Sequence, residues 1–131
     1  MEIVITGWGL RSYLKLLDEG RFTEEEYWGQ MRPDILMLYD LGNPKFHLGK
    51  FWSPAATQGL TVQSGWKMKW HNMGPGGAQR RLPVLLFEGD AFLCEAYVKV
   101  SDYADARGIA RFSAQAVNIR KGSYEDCGRL R

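Results

Sequence analysis

The strongest constraint on the fold is a series of strand patterns between residues 65 and 100. Residues 65–71 alternate with period two between apolar and basic side chains. The apolar set is Trp66, Met68 and Trp70, and the basic set is Lys67, Lys69 and His71. A glycine-rich connection over 72–79 leads to a predicted strand over 80–87, and the turn Glu88 to Asp90 leads to another over 91–100. These patterns predict an antiparallel meander.

Helical patterns precede and follow the meander. After a β-rich run over 2–6, apolar residues at helical spacing predict an amphipathic helix that ends at Gly20. Its stripe consists of Leu10, Tyr13, Leu14 and Leu17. Thr23 and Glu26 form a capping box for a second helix, and a third helical stretch begins at Pro33.

The last predicted element is a long C-terminal helix. Residues 101–105 supply its N-cap, and Gly122 ends it. Its predicted inner face consists of Ile109, Phe112, Ala116 and Ile119. The sequence therefore predicts one α+β domain over 1–131, with an N-terminal strand and helices packed on a twisted antiparallel sheet and a C-terminal helix.

Two segments give weaker patterns. Pro44, Pro54 and Gly59 interrupt residues 43–63, which leaves one predicted strand over 45–52 followed by a loop. Residues 122–131 are predicted to be a mobile end.

Composition limits the class of protein. A chain of 131 residues with 45% hydrophobic and 24% charged residues is long enough for one globular core. Cys94 lies in an apolar run and is predicted to be a core residue. The only other cysteine is Cys127, so the chain lacks the second cysteine pair that a zinc cluster needs. The two histidines have no Asp, Glu or Cys between them, which argues against a metal site. No leader and no apolar run approaching 18 residues is present, so we expect a cytoplasmic protein with reduced thiols, no membrane segment and no cofactor.

The charges are distributed unevenly. Between Asp40 and Glu88 the chain has no carboxylate side chain, although it has six basic residues, both histidines and three tryptophans. The basic residues are Lys45, Lys50, Lys67, Lys69, Arg80 and Arg81. Residues 1–42 hold four basic and eight acidic side chains, a net of −4, and residues 43–131 hold thirteen and seven, a net of +6. This asymmetry indicates an anionic partner such as nucleic acid, and a solvated basic face is the alternative.

The basic strand face is the candidate site. Lys67, Lys69 and His71 lie about 7 Å apart from one to the next, similar to the repeat of a nucleic-acid backbone. An antiparallel register brings Arg80 or Arg81 beside this row, and the sequence leaves open which one. The alternative is an ordinary edge strand with solvated lysines.

Other residues are candidates for binding the same ligand. Lys45 and Lys50 fall in the segment that lacks carboxylates, and Tyr124 offers a ring that stacks on a base. His71 is either a general acid or base or a hydrogen-bonded turn residue.

Residues 65–117 resemble the toxin superfamily of RelE, ParE and HigB, including its phage-derived HigB-like branch. The similarity lies in a strand of aromatic and basic residues, an arginine-led strand, a hairpin turn, a strand that closes in a Val-Lys type pair, and a helix. The resemblance implies a small α/β fold, an acidic antitoxin that wraps a basic groove, and cleavage of messenger RNA in the ribosomal A site.

The resemblance also implies roles for individual residues. Lys67 and Lys69 match a lysine pair on the central strand, and Arg80 or Arg81 matches an arginine that opens the next strand. Lys99 matches a basic residue near the end of the last strand, and Arg107 is a looser match on the helix. The chain departs from the pattern by an insertion over 53–64, and its counterpart of a catalytic terminal tyrosine is either Tyr103 or Tyr124.

The implied reaction places the nucleophile on the RNA. A ribose 2′-hydroxyl attacks the adjacent phosphate, so the protein orients it, accepts a proton and stabilises negative charge without a metal. Lys69 or His71 takes the role of base, and Lys67 with Arg80 or Arg81 stabilises charge. The alternatives are a non-catalytic module that binds nucleic acid or protein, and a ParE-like gyrase inhibitor.

Overall fold

The fold is built on one mixed sheet of seven strands, described by a computed structural model for residues 1–71, 73, 76 and 78–131. The strands are β1 (Ile3–Thr6), β2 (Trp52–Thr57), β3 (Leu60–Trp70), β4 (Gln79–Phe87), β5 (Asp90–Leu93), β6 (Tyr97–Lys99) and β7 (Asp126–Arg129). Their order across the sheet is β2-β3-β4-β5-β1-β7, and β6 pairs with β4. The β1–β5 pair is parallel and the other pairs are antiparallel. The predicted α+β class is confirmed. Half of the predicted connection over 72–79 lies outside the described residues.

The helices flank this sheet. They are α1 (Gly7–Asp18), α2 (Glu24–Glu26), a π-helix (Tyr27–Met31), α3 (Arg32–Leu36), 3-10 turns (Met37–Tyr39 and Pro44–His47) and α4 (Asp102–Arg120). The capping box of Thr23 and Glu26 is present, and Ser101 caps α4 as predicted. The predicted second and third helices are continuous, since the π-helix joins α2 to α3. The wider turn comes just before Pro33, which has no N–H to donate to the helix.

The sheet separates two apolar layers. One face packs against α4, whose predicted inner residues Ile109, Phe112, Ala116 and Ile119 are all buried. The other face packs against the N-terminal helical segments and includes Trp52, Met68 and Trp70. The period-two pattern of β3 thus places Trp70 in the core and Trp66, partly buried, against it, as burial of large rings requires.

The orientation of α1 differs from the prediction. Leu14 is 53% exposed and Leu10 is also exposed, whereas Ser12 and Leu16 are buried. The reason is polar: Ser12 Oγ accepts a hydrogen bond from the Ala96 N–H and donates one to the Gly9 carbonyl. A small hydrogen-bonded residue therefore faces the sheet instead of leucine.

The predicted strand over 45–52 and the loop after it are wrong. Residues 44–47 form a 3-10 turn, and residues 52–70 form the β2–β3 hairpin with Gly59 at φ +81° in its turn. Pro54 is compatible with β2 because this strand lies at the edge of the sheet, where a missing N–H leaves no ladder bond unmade. Residues 53–64, which the resemblance identified as an insertion, therefore extend the sheet.

The predicted strand over 91–100 is divided into β5 and β6. β5 pairs with residues 84–87 of β4 and β6 pairs with residues 79–81, with Cys94 to Ala96 between them. Cys94 is buried and its thiol is free, in agreement with its predicted place in the core.

The C-terminal end is also ordered, contrary to the prediction. Residues 126–129 form β7 beside β1, and the Leu130 N–H donates to the Ile3 carbonyl. The carbonyl of Leu130 accepts from Tyr39 Oη at 2.5 Å. These hydrogen bonds fix the last residues to the sheet.

Candidate nucleic-acid interface

The register between β3 and β4 decides which arginine, Arg80 or Arg81, lies beside the lysine row formed by Lys67 and Lys69. Lys69 pairs with Arg81, and Trp70 pairs with Arg80. Because neighbouring residues of a strand point to opposite faces, Arg81 lies on the α4 side with Lys67 and Lys69. Arg80 lies on the opposite side and is 1% exposed.

A single carboxylate lies at the centre of these cations. Asp105 Oδ1 accepts hydrogen bonds from Arg81 Nη1 at 2.7 Å and from Tyr97 Oη at 2.5 Å. Its other oxygen is 3.5 Å from Lys67 Nζ. Lys67 is 8% exposed and Arg81 6%, so both cations are largely removed from water, and they share the Asp105 carboxylate of α4.

Asp105 and Tyr97 were not among the predicted site residues, although the sequence carries a signal for Asp105. Asp105 lies four residues before Ile109, so helical periodicity places it on the same inner face. Gly108 allows α4 to approach closely, because a Cβ there would be 2.5 Å from the Tyr97 ring. The short contact brings the first turn of α4 over β4 and β6.

Asp105, Lys67, Arg81 and Tyr97 form one network, and burial and charge change the pKa values of Asp105, Lys67 and the neighbouring Lys69. Burial alone raises the pKa of Asp105, but the hydrogen bond from Tyr97 and the charges of Arg81 and Lys67 outweigh it and hold the pKa below its ordinary value. Burial lowers the pKa of Lys67, and Arg81 lowers it further. Burial, Arg81 and Lys67 together lower the pKa of Lys69.

Lys69 extends this network toward the turn before β2. Its Nζ donates to the Gly49 carbonyl at 2.6 Å, and His71 Nε2 lies 2.7 Å from the Lys50 carbonyl. The side chains of Lys50 and His71 are exposed there. The structure therefore brings Lys50, Lys69 and His71 to one edge of the network.

The opposite edge is formed by β6 and α4. Lys99 pairs with Gln79 across the strands, on the same face as Arg81, and its Nζ is 3.4 Å from the exposed Asp102. Arg107 is exposed, with its guanidinium 5.7 Å from the centre of the Tyr103 ring.

Three predicted site residues lie elsewhere. Arg80 donates to the carbonyls of Arg21 and Ala78 beneath the N-terminal helices. Lys45 pairs with Asp34 at 2.7 Å on that same face of the sheet. Tyr124 packs edge-on against Phe92 in the core layer under α4. These three residues are not brought together with the lysine row.

We refer to Lys67, Lys69, Arg81 and Lys99 as the basic cluster. Its four positive charges face two carboxylates, Asp105 and Asp102, which leaves a net charge of +2. Within the described part of the chain, no group of three or more His, Cys, Asp or Glu is placed to hold a metal ion. The chemistry available to the cluster is therefore the binding of an anion and transfer of a proton at a lysine.

Asp105 makes the stability of the fold depend on pH. Because its pKa is lower in the folded chain, the carboxylate stabilises the fold in full above about pH 5, and this contribution is lost as the pH falls through the folded pKa. We expect the difference in unfolding free energy between the natural chain and Asp105→Asn to shrink steadily from pH 5 to pH 2. Urea unfolding at each pH measures it, and a constant difference over that range would contradict the assignment.

Comparisons with protein families, curated proteins and solved structures found no match to this chain. Among the described helices, none is long and apolar enough to cross a membrane. The fold and the basic cluster thus define an α+β protein with a cationic site on one sheet face.

Proposed function

We propose that this chain binds single-stranded RNA through the basic cluster. The supporting observation is that three strands bring four cations to one place where only two carboxylates oppose them. A cationic surface with partly buried walls raises the local concentration of anions, and contact with phosphates supplies most of the affinity for nucleic acids.

The cluster divides into supporting and contacting residues. Asp105 holds Lys67 and Arg81 in place, and their charges act on the surface above them. Lys69 and Lys99 are less buried, and we assign them direct contacts with phosphates. Lys50, His71 and Arg107 extend the surface on either side.

The test is binding of a fluorescent single-stranded RNA, measured by anisotropy at 0.1 M salt. We expect Lys69→Gln combined with Lys99→Gln to weaken binding roughly 10- to 30-fold, because two phosphate contacts are lost. Lys121→Gln, an exposed change at the far end of α4, is the control and keeps the affinity. Equal affinity of the double variant and the natural chain would contradict the proposal.

Cleavage of the bound RNA is a second candidate function. The favouring observation is that Lys69 lies directly beside Arg81 across the two strands. Burial and the charges of Arg81 and Lys67 lower the pKa of Lys69, which favours its role as a base. Lys67 and Arg81 would stabilise the negative charge that develops on the phosphate. In this form the protein acts as a toxin-like, ribosome-dependent endoribonuclease that needs no metal, and an acidic antitoxin protein covers the basic cluster.

A further inference from the structure

A cleft of about 340 Å³ lies between α1, the β6 region and α4. It is separate from the basic cluster, since none of the four cluster residues lines it. The cleft lies where the chain leaves β5 and pairs again with β4 as β6. Tyr97 and Val98 of β6 border the cleft.

The cleft carries an excess of positive charge. Four basic and two acidic side chains line it, a net of +2. They are Arg11, Lys15, Arg21 and Arg111, with Glu19 and Glu95. Arg111 Nε forms an ion pair with Glu95 Oε2 at 2.5 Å, and Arg11 Nη1 forms one with Glu125 Oε1 at 2.7 Å.

The remaining two cations are unpaired. Within the described residues, the side chains of Lys15 and Arg21 form no ion pair or hydrogen bond. Arg80 lies next to Arg21, since its Nε donates to the Arg21 carbonyl, and among the described residues its buried Nη2 has no hydrogen-bond partner. Glu19 is the one lining carboxylate left to oppose Lys15 and Arg21, so these two cations keep an excess of positive charge at a concave surface, and an anion in the cleft reduces that cost.

The walls of the cleft indicate the size and type of anion. Its volume lies within the usual range for small-molecule sites. Trp8, Leu16 and Val98 supply apolar surface beside the cations. Arginine and lysine together are the usual partners of phosphate groups in proteins.

We propose that this cleft binds a small phosphorylated molecule, with Lys15 and Arg21 as the phosphate-binding residues. This site is independent of the proposed RNA surface. Trp8 lies at the same cleft and contacts any organic group attached to the phosphate.

The test is calorimetric titration of the full chain with inorganic pyrophosphate and with adenosine diphosphate. We expect Lys15→Gln combined with Arg21→Gln to weaken binding of either probe at least tenfold, while Lys121→Gln leaves it unchanged. Tighter binding of adenosine diphosphate than of pyrophosphate, abolished by Trp8→Ala, supports an organic phosphate. Equal binding of both supports recognition of the phosphate group alone.

Two results would overturn the proposal: no binding of either probe at 1 mM, or equal binding by the natural chain and the double variant. The charge-conserving variant Lys15→Arg with Arg21→Lys separates loss of charge from loss of structure, since we expect it to bind within threefold of the natural chain. A tenfold loss in this variant would also count against the proposal.

The anisotropy assay with RNA distinguishes the two sites. If the sites are independent, the variant Lys15→Gln with Arg21→Gln keeps its RNA affinity.

Discussion

Replacing Asp105 with alanine destabilises the fold by about 3 to 5 kcal/mol, because it leaves buried cations without their counterion. Arg81 and Lys67 both lose the carboxylate, and Tyr97 loses the acceptor of its hydroxyl. The measurement is the free energy of unfolding in urea at pH 7.

The matched control is Asp102→Ala on the same helix. Asp102 is fully exposed and lies 3.4 Å from Lys99, and exposed ion pairs contribute about 1 kcal/mol or less. Its first-turn position adds a similarly small helix-dipole effect. A loss for Asp105→Ala no larger than that for Asp102→Ala would show that the carboxylate is not the centre of the network.

Replacing Lys69 with alanine slows RNA cleavage about 10²- to 10³-fold if the second candidate function is correct. The expectation rests on the role of a positioned base in the transition state, together with the lowered pKa of Lys69. The measurement is primer extension on a message in a translating extract, with the strength of A-site cuts followed over time.

The control for cleavage is Lys121→Ala, which removes one positive charge outside the cluster. Equal cleavage by Lys69→Ala and the natural chain would exclude Lys69 as the base. Absence of cuts by the natural chain at any concentration would exclude the second candidate function and leave RNA binding intact.

The sequence predicts the elements that local patterns specify. The inner face of α4 follows from its apolar spacing, and the capping box at Thr23 follows from hydrogen-bond chemistry within four residues. The β2–β3 hairpin escapes prediction because Pro54 interrupts the pattern, and only its edge position makes proline harmless.

Contacts distant in sequence are not predictable from these patterns. Arg80 and Arg81 are adjacent, and a shift of one residue in the β3–β4 register would exchange their faces. The glycine-rich segment between the strands does not fix that register. The order of the C-terminal residues likewise depends on pairing with β1, which lies more than 100 residues away.

The ion pairs of Asp105 are a contact that charge and spacing alone do not predict. Helical spacing places Asp105 on the buried face with Ile109, but a carboxylate is expected in water unless a buried partner is known. Arg81 and Lys67 are those partners, and only the fold brings them there. The basic cluster is thus supported from within the chain.

The most direct test of the RNA surface is the salt dependence of binding. For single strands, the slope of log affinity against log salt changes by about 0.7 for each phosphate contact. We predict that combined Lys69→Gln and Lys99→Gln makes the slope about 1.4 units less steep, with Lys121→Gln unchanged. A slope that is the same for the natural chain and the double variant would contradict the account.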